Sequence, residues 1–241
     1  MTKFLASVSN PDEAVSVLTA GADIIDIKDP RRGALGAVNI ELTKEIVRQI
    51  SGQVMISATI GDLPMVADKI SGAINTMHTT GVDIIKVGIF TSSVPAEIFQ
   101  VIKHHTKSGC RIVLVFFADL KPELQDFSVL SEAGIYGIML DTADKTKGSL
   151  RTIMNNDELD EFVKQAQSSG LLTGLAGSLK LVDIQPLLKL RPDYLGFRSA
   201  LCDKQQRTES IDLRDVRNVR ALIPIHHYDE YKYQNIMASA N

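Results

Sequence analysis

Residues 21–36 read GADIIDIKDPRRGALG, a sequence that predicts a buried strand ending in charged groups. Asp26 interrupts its apolar run, Lys28 ends it, and a basic, glycine-rich segment follows. Alternate residues of a strand share a face, so Asp26 and Lys28 lie on one side and Ile25 and Ile27 on the other. The wholly apolar side suits packing against helices, and the charged side then turns into the interior of a closed sheet.

Short apolar runs of this kind alternate with amphipathic stretches along the whole chain. The eight runs are FLASV (4–8), ADIIDIK (22–28), QVMISATI (53–60), VDIIKVG (82–88), RIVLVFF (111–117), YGIMLD (136–141), LLTGLAG (171–177) and DYLGFR (193–198). Such runs are typical of parallel strands covered on both faces. Between them, residues 10–13 (NPDE) predict a helix start, and Leu42, Ile46 and Ile50 follow a helical period.

Eight strand–helix units in a chain of 241 residues predict an α/β fold, a single-domain (β/α)8 TIM barrel. A doubly wound open sheet is the main alternative, but it needs fewer strands and often carries a GxGxxG turn, which this sequence lacks. We assign residues 1–222 to the barrel and residues 223–241 to a C-terminal tail or terminal helix, since helical periodicity is lost after Pro224.

An internal similarity brings further charged residues to the same place. Three segments, TAGADIIDIK (19–28), TTGVDIIKVG (79–88) and EAGIYGIMLD (132–141), each carry a glycine just before a strand, two units apart. The face rule adds Lys86 and Asp141 to Asp26 and Lys28. Alternate strands supply each layer of a barrel, so these four side chains should meet at the C-terminal mouth, with Lys145 in the loop just beyond.

This grouping predicts chemistry at a lysine amine. Burial and a neighbouring cation lower the pKa of a lysine and free its lone pair, and Lys28 beside Lys86 meets the second condition. A neutral amine attacks an aldehyde or ketone to form an imine, which then acts as an electron sink. Asp26 and Asp141 would transfer protons or orient the amines. The alternative is that ion pairs merely cap the barrel, although buried pairs are weak stabilisers.

Two glycine-containing segments predict an anion site. GLAGSLK (174–180) and LGFRSALC (195–202) end the seventh and eighth strands, where barrels commonly bind phosphate. The phosphate-binding residues predicted from them are Gly177, Ser178, Arg198 and Ser199. Ordinary glycine turns are the alternative. Arg31 either binds a second anion or is solvated surface, and Asp62 is expected to cap a helix.

The composition of the chain limits the classes of partner that we expect it to bind. A net charge of −3 gives no reason to expect nucleic acid or an anionic membrane. No apolar run approaches the roughly 20 residues that span a bilayer, and the N-terminus has no signal-peptide core, so we expect a cytoplasmic protein. The His and Cys residues show no ligand spacing, so no metal site is predicted. We also expect a homo-oligomer.

Several of these segments together resemble one family. SVSNPDEA, GADIIDIKDPRRGALGA, ATIGDLP, GVDIIKVG, MLDTADKTKGSL, LAGSL and LGFRSALC are similar to the (5-formylfuran-3-yl)methyl phosphate synthases of methanofuran biosynthesis, over residues 1–222. The resemblance implies a cofactor-free lyase that condenses two molecules of glyceraldehyde 3-phosphate, losing phosphate and water. It implies a Schiff base at Lys28, supported by Asp26, Lys86, Asp141 and Lys145.

Two rival functions remain open at this stage. One is a Schiff-base aldolase of the same fold that acts on a single sugar phosphate. The other is a barrel that binds a phosphate metabolite without catalysis, which the grouping of lysines argues against because perturbed amines concentrate at reactive sites.

Overall fold

The structure is a computed structural model that describes residues 1–124 and 127–224. Eight parallel strands close into a barrel in which each strand pairs with the next and β8 returns to β1. The strands are β1 Lys3–Val8, β2 Ile24–Ile27, β3 Met55–Thr59, β4 Ile84–Ile89, β5 Ile112–Phe117, β6 Gly137–Asp141, β7 Leu172–Leu175 and β8 Tyr194–Phe197. Each lies within or beside one predicted run, so the predicted barrel is confirmed.

The α-helices surround this barrel. Those in the described residues are α1 Pro11–Thr19, α2 Ile40–Ile50, α3 Ala67–His78, α4 Ala96–Lys107, α5 Ser128–Glu132, α6 Leu150–Ile153, α7 Asn156–Ser168, α8 Leu181–Leu188 and α9 Leu213–Leu222. The predicted start of α1 is confirmed, because the Asn10 side chain accepts a hydrogen bond from the backbone N–H of Glu13 at 2.9 Å. Ile46 and Ile50 are fully buried, which confirms the apolar face of α2.

Two hydrophobic layers divide the strand residues as the face rule predicts. Ile25 and Ile27 pack in the layer between strands and helices, while Ile24 faces the barrel interior. The lower part of the interior is closed by Tyr194, whose ring lies so near Gly174 that a Cβ there would come within 2.2 Å of it. Apolar groups therefore fill the lower barrel, and the charged side chains are left at the C-terminal end.

The three similar segments share one backbone device. Gly21, Gly81 and Gly134 follow α1, α3 and α5 with φ angles of 88°, 83° and 76°. This left-handed region suits glycine and ends a helix before the chain enters the next strand. The predicted glycine stops are confirmed, and they give β2, β4 and β6 equivalent starting points.

The remaining predictions about the chain concern its membrane contact and its tail. No helix in residues 1–124 and 127–224 is long and apolar enough to cross a membrane. The predicted tail or terminal helix lies outside the described residues, apart from Ile223 and Pro224.

Candidate active site

A buried ion pair joins two strands across the barrel. Lys86 on β4 places its Nζ atom 2.7 Å from Oδ1 of Asp26 on β2. The hydroxyl of Ser57 donates to the same oxygen at 2.7 Å, and the hydroxyl of Ser7 donates to Oδ2 at 3.0 Å. Three donors thus surround a carboxyl group that has no exposed surface. An ionised carboxylate accepts hydrogen bonds only, so this environment selects the charged form.

A second group of charges lies at the mouth. Lys28 Nζ is 3.6 Å from Oδ2 of Asp141, the last residue of β6. Lys145 Nζ is 2.5 Å from Oδ1 of the same carboxylate and also donates to the carbonyl and hydroxyl of Thr142. Lys145 is therefore held by several oxygens. Lys28 makes no side-chain hydrogen bond to any residue in the described part of the chain.

The protonation of these groups follows from burial and mutual attraction. Burial alone would raise the pKa of Asp26, but Lys86 and Lys28 outweigh it and the pKa is lowered. Burial opposes Lys145 and Lys28 in the same way at Asp141, whose pKa lies well below its usual range. Burial lowers the pKa of Lys86 and of Lys145, and their carboxylate partners reverse this only in part. Both carboxyls are therefore ionised at neutral pH.

A small, partly open cavity lies above the charged groups, lined by polar and charged side chains of the mouth. The predicted site residues that line it are Asp26, Lys28, Asp141, Lys145, Gly177, Ser178, Arg198 and Ser199. Lys86 is buried beside Asp26 and does not line it. Arg31 is exposed and lines a neighbouring recess together with Arg32. The barrel thus gathers the predicted residues of the last two loops around the lysines and leaves Arg31 outside.

The guanidinium of Arg198 makes all of its hydrogen bonds to other residues of the protein. Its guanidinium forms a two-point ion pair with Glu13, at 2.6 and 3.1 Å. Three further hydrogen bonds go to the carbonyls of Ser7, Arg207 and Glu209. These contacts use all five N–H donors of a guanidinium. The assignment of Arg198 to phosphate stays a prediction, and the structure shows this side chain joining α1 to the loop after β8.

The sequence reasoning missed Arg207, which also lines the cavity. It lies in DKQQRTES (203–210), a polar loop between β8 and α9 without helical or strand periodicity. Nothing in that segment distinguishes it from an ordinary surface arginine, so only the fold could reveal it.

Asp62 has a different partner from the one expected. It does not cap α3, because the residue before that helix is Val66 and no side chain caps it. Its two carboxylate oxygens accept the backbone N–H groups of Ala34 and Leu35, each at 2.7 Å. Gly33 permits the approach, since a Cβ there would lie 2.0 Å from the Asp62 carboxylate. Asp62 therefore anchors the loop that follows Lys28.

Asp119 anchors the loop after β6 in the same manner. Its carboxylate accepts the N–H groups of Ala143 and Asp144 at 2.7 and 2.8 Å, and its side chain is only 2% exposed. That loop carries Lys145. An acidic residue after an odd-numbered strand thus fixes the loop that follows the neighbouring even-numbered strand, at β3 and again at β5.

We expect Asp119→Asn to lower the free energy of unfolding by about 1–3 kcal/mol, as for a buried donor that loses its charged acceptor. An asparagine amide offers one oxygen and turns its NH2 group toward the second backbone N–H. Urea unfolding followed by circular dichroism measures the change.

Asp160→Asn is the matched control, because Asp160 lies on α7 in an exposed pair with Lys164. The control should change the free energy of unfolding by less than about 0.5 kcal/mol. Equal stability of the two variants would show that Asp119 anchors nothing of consequence.

Within residues 1–124 and 127–224, no three His, Cys, Asp or Glu side chains come together in a way that could hold a metal ion.

A solved structure of low sequence identity shares the fold of this chain. A solved structure of phosphoribosyl anthranilate isomerase from Thermus thermophilus superposes with a TM-score of 0.64, covering 92% of this chain and 98% of that one. At 14% sequence identity, this likeness shows the barrel fold alone.

Sequence similarity is more specific. The chain is 40% identical over 210 residues to a Methylorubrum extorquens protein provisionally named (5-formylfuran-3-yl)methyl phosphate synthase, covering 87% of this chain and 86% of that protein. It is 32% identical over 218 residues to the Methanosarcina acetivorans protein of that name, covering 86% and 93% of the two chains. The sequence profile of the 4-HFC-P synthase family matches residues 4–220. The chain therefore belongs to the 4-HFC-P synthase family.

Proposed function

We propose that the protein is a (5-formylfuran-3-yl)methyl phosphate synthase that joins two molecules of glyceraldehyde 3-phosphate through an imine on Lys28. The observation that carries the proposal is the state of this amine. Lys28 is 7% exposed, lines the cavity and lies near Asp141, yet it donates no hydrogen bond to the described residues. A buried amine that pairs with its nearest carboxylate at 3.6 Å, without a hydrogen bond, is available to attack a carbonyl carbon.

The overall reaction needs no oxidant or reductant. Two triose phosphates contain all six carbons of the furan, and the product forms when one phosphate and two water molecules leave. One triose phosphate first isomerises to a dihydroxyacetone-phosphate-like ketose, which requires proton transfer between adjacent carbons. The reaction therefore calls for proton donors, proton acceptors and an electron sink, and the site offers all three.

The imine joins the two substrates. Condensation of the Lys28 amine with the carbonyl releases water and makes the adjacent C–H acidic, since the iminium withdraws electrons. Removal of that proton gives an enamine, which attacks the aldehyde of the second molecule and forms the new carbon–carbon bond. Elimination of phosphate, ring closure, dehydration and hydrolysis of the imine complete the furan and regenerate the amine.

The protonation states of the carboxyl and amine groups indicate which of them accept protons and which donate them. The pKa of Asp26 and of Asp141 is lowered, so both begin the cycle as proton acceptors. Protons are then returned by ammonium groups, of which Lys145 is beside Asp141 and Lys86 is beside Asp26. Lys145, which lines the cavity, would also stabilise negative charge on the substrate oxygens.

The turn after β7 supports a phosphate site. Gly177 and Ser178 have φ angles of 106° and 49°, and their backbone N–H groups have no acceptor among the described residues. A left-handed serine is a strained conformation that concentrates at functional sites, and free N–H groups in such turns bind anions. Ser199 lines the cavity on the side of β8.

Incubation of the protein with glyceraldehyde 3-phosphate alone tests the proposal. We expect the ultraviolet absorbance of a furan aldehyde to appear, with one inorganic phosphate released for each furan formed. Sodium borohydride added during turnover should reduce the imine and leave a mass adduct on Lys28. An aldolase acting on one sugar phosphate would give no furan, and a passive binder would release no phosphate; either result contradicts the proposal.

A further inference from the structure

Arg207 presents an unpaired guanidinium to the catalytic cavity. It is half-buried in the loop between β8 and α9 and lines the same cavity as Lys28 and Lys145. Its Nη2 atom donates to the carbonyl of Gly33 at 2.8 Å. In residues 1–124 and 127–224, Nε and Nη1 have no acceptor, and no carboxylate lies within 4.0 Å of the guanidinium. Donors of a planar, charged group are thus left free at the mouth.

The backbone of Arg207 is fixed from below. Arg198 Nε donates to the Arg207 carbonyl at 2.8 Å, and Arg198 Nη2 donates to the carbonyl of Glu209 at 3.1 Å. Arg198 is itself held by its two-point contact with Glu13. The loop therefore carries Arg207 to the cavity on a buried, fully bonded support, and the Gly33 contact fixes the tip.

The electrostatic surroundings leave this cation short of a partner. Burial lowers the pKa of Arg207, and the carboxylates of Asp141 and Asp62 act on it only from a distance. Asp141 already forms ion pairs with Lys145 and Lys28. Both carboxylate oxygens of Asp62 accept hydrogen bonds from backbone N–H groups. A partly desolvated guanidinium with free donors is stabilised most by an anion that arrives with the substrate.

We propose that Arg207 binds the phosphate group of a substrate molecule in the mouth, with two phosphate oxygens accepting a parallel pair of N–H donors, one from Nε or Nη1 and the other the second hydrogen of Nη2. The identity of this ligand rests on the proposed function, in which both substrates carry a phosphate monoester. A guanidinium fork matches two oxygens of a tetrahedral phosphate, which a lysine ammonium cannot do. The free N–H groups of Gly177 and Ser178 line the same cavity.

Isothermal titration calorimetry with inorganic phosphate tests the proposal without turnover. Arg207→Met removes the guanidinium and keeps an unbranched apolar stem, so the dissociation constant should rise by roughly ten- to a hundred-fold, as for a lost charged hydrogen bond. Arg207→Lys keeps the positive charge and loses the parallel pair of donors. Its affinity for phosphate should therefore lie between those of the wild type and of Arg207→Met. Arg217→Met is the control, because Arg217 is exposed on α9 and its side chain makes no hydrogen bond or ion pair with any described residue.

Three outcomes overturn the proposal: wild-type protein that binds no phosphate, an Arg207→Met variant that binds it as tightly as wild type, or an Arg207→Lys variant that does so. Circular dichroism of each variant confirms that the barrel is retained. If Arg207→Met loses phosphate affinity and the wild type makes no furan, the proposed function fails and the assignment of Arg207 to phosphate binding stands. If furan forms and phosphate binding is unchanged in the variant, only this inference fails.

Discussion

Replacement of Lys28 by arginine is expected to lower kcat by at least about 10³-fold and to leave the barrel folded. Arginine keeps the positive charge beside Asp141, so the ion pair at the mouth survives. A guanidinium does not lose its proton in proteins and cannot form the imine. Steady-state assays of furan formation measure the loss, and borohydride should add no mass to the variant.

Lys44→Arg is the matched control. Lys44 is partly exposed on the outer helix α2 and pairs with Glu41, so the exchange leaves the mouth untouched. Its kcat and its borohydride adduct at Lys28 should equal those of the wild type. Full turnover in Lys28→Arg, or an adduct that maps to another lysine in the wild type, would contradict the assignment of the imine.

Asp26→Asn should have the largest effect on stability, lowering the free energy of unfolding by about 3–5 kcal/mol. The substitution leaves the Lys86 ammonium buried without a counterion, since Asp26 is its partner at 2.7 Å. It also replaces one acceptor oxygen by an NH2 group between the hydroxyls of Ser7 and Ser57. Urea unfolding of wild type and variant gives the difference.

The double variant Asp26→Asn, Lys86→Met separates charge imbalance from the loss of the serine hydrogen bonds. Removal of both charges relieves the uncompensated ammonium, so more than half of the stability lost in Asp26→Asn should return. A single variant that loses less than about 1 kcal/mol would show that solvent or another group neutralises Lys86. Failure of the double variant to recover would instead assign the loss to the serine hydrogen bonds.

The grouping of Asp26, Lys28, Lys86 and Asp141 could be predicted because it depends on local periodicity. Strand residues alternate faces, and the glycine stops at Gly21, Gly81 and Gly134 give three even-numbered strands equivalent registers. A closed parallel barrel then turns these equivalent positions inward. The prediction therefore needed only the number of strands and the side of each strand that faces the barrel interior. Both can be inferred from the apolar runs of the sequence.

The loop contacts could not be predicted, because they join residues of different crossovers. Asp62 follows the pattern of a helix cap, and only the three-dimensional path of the preceding crossover shows that its carboxylate reaches Ala34 and Leu35. Arg198 and Arg207 are both arginines near the end of β8. Which of them is consumed by internal hydrogen bonds depends on Glu13 of α1, almost the whole chain away.

The arrangement of charge at the mouth has a kinetic consequence. Basic side chains outnumber acidic ones around the cavity, although the chain as a whole carries a net charge of −3. An approaching dianion is weakly repelled at long range and attracted near the opening, where low-dielectric walls focus the field. Added salt shortens the range of both forces, so capture of the substrate should depend less on ionic strength than in an enzyme whose entire surface is basic.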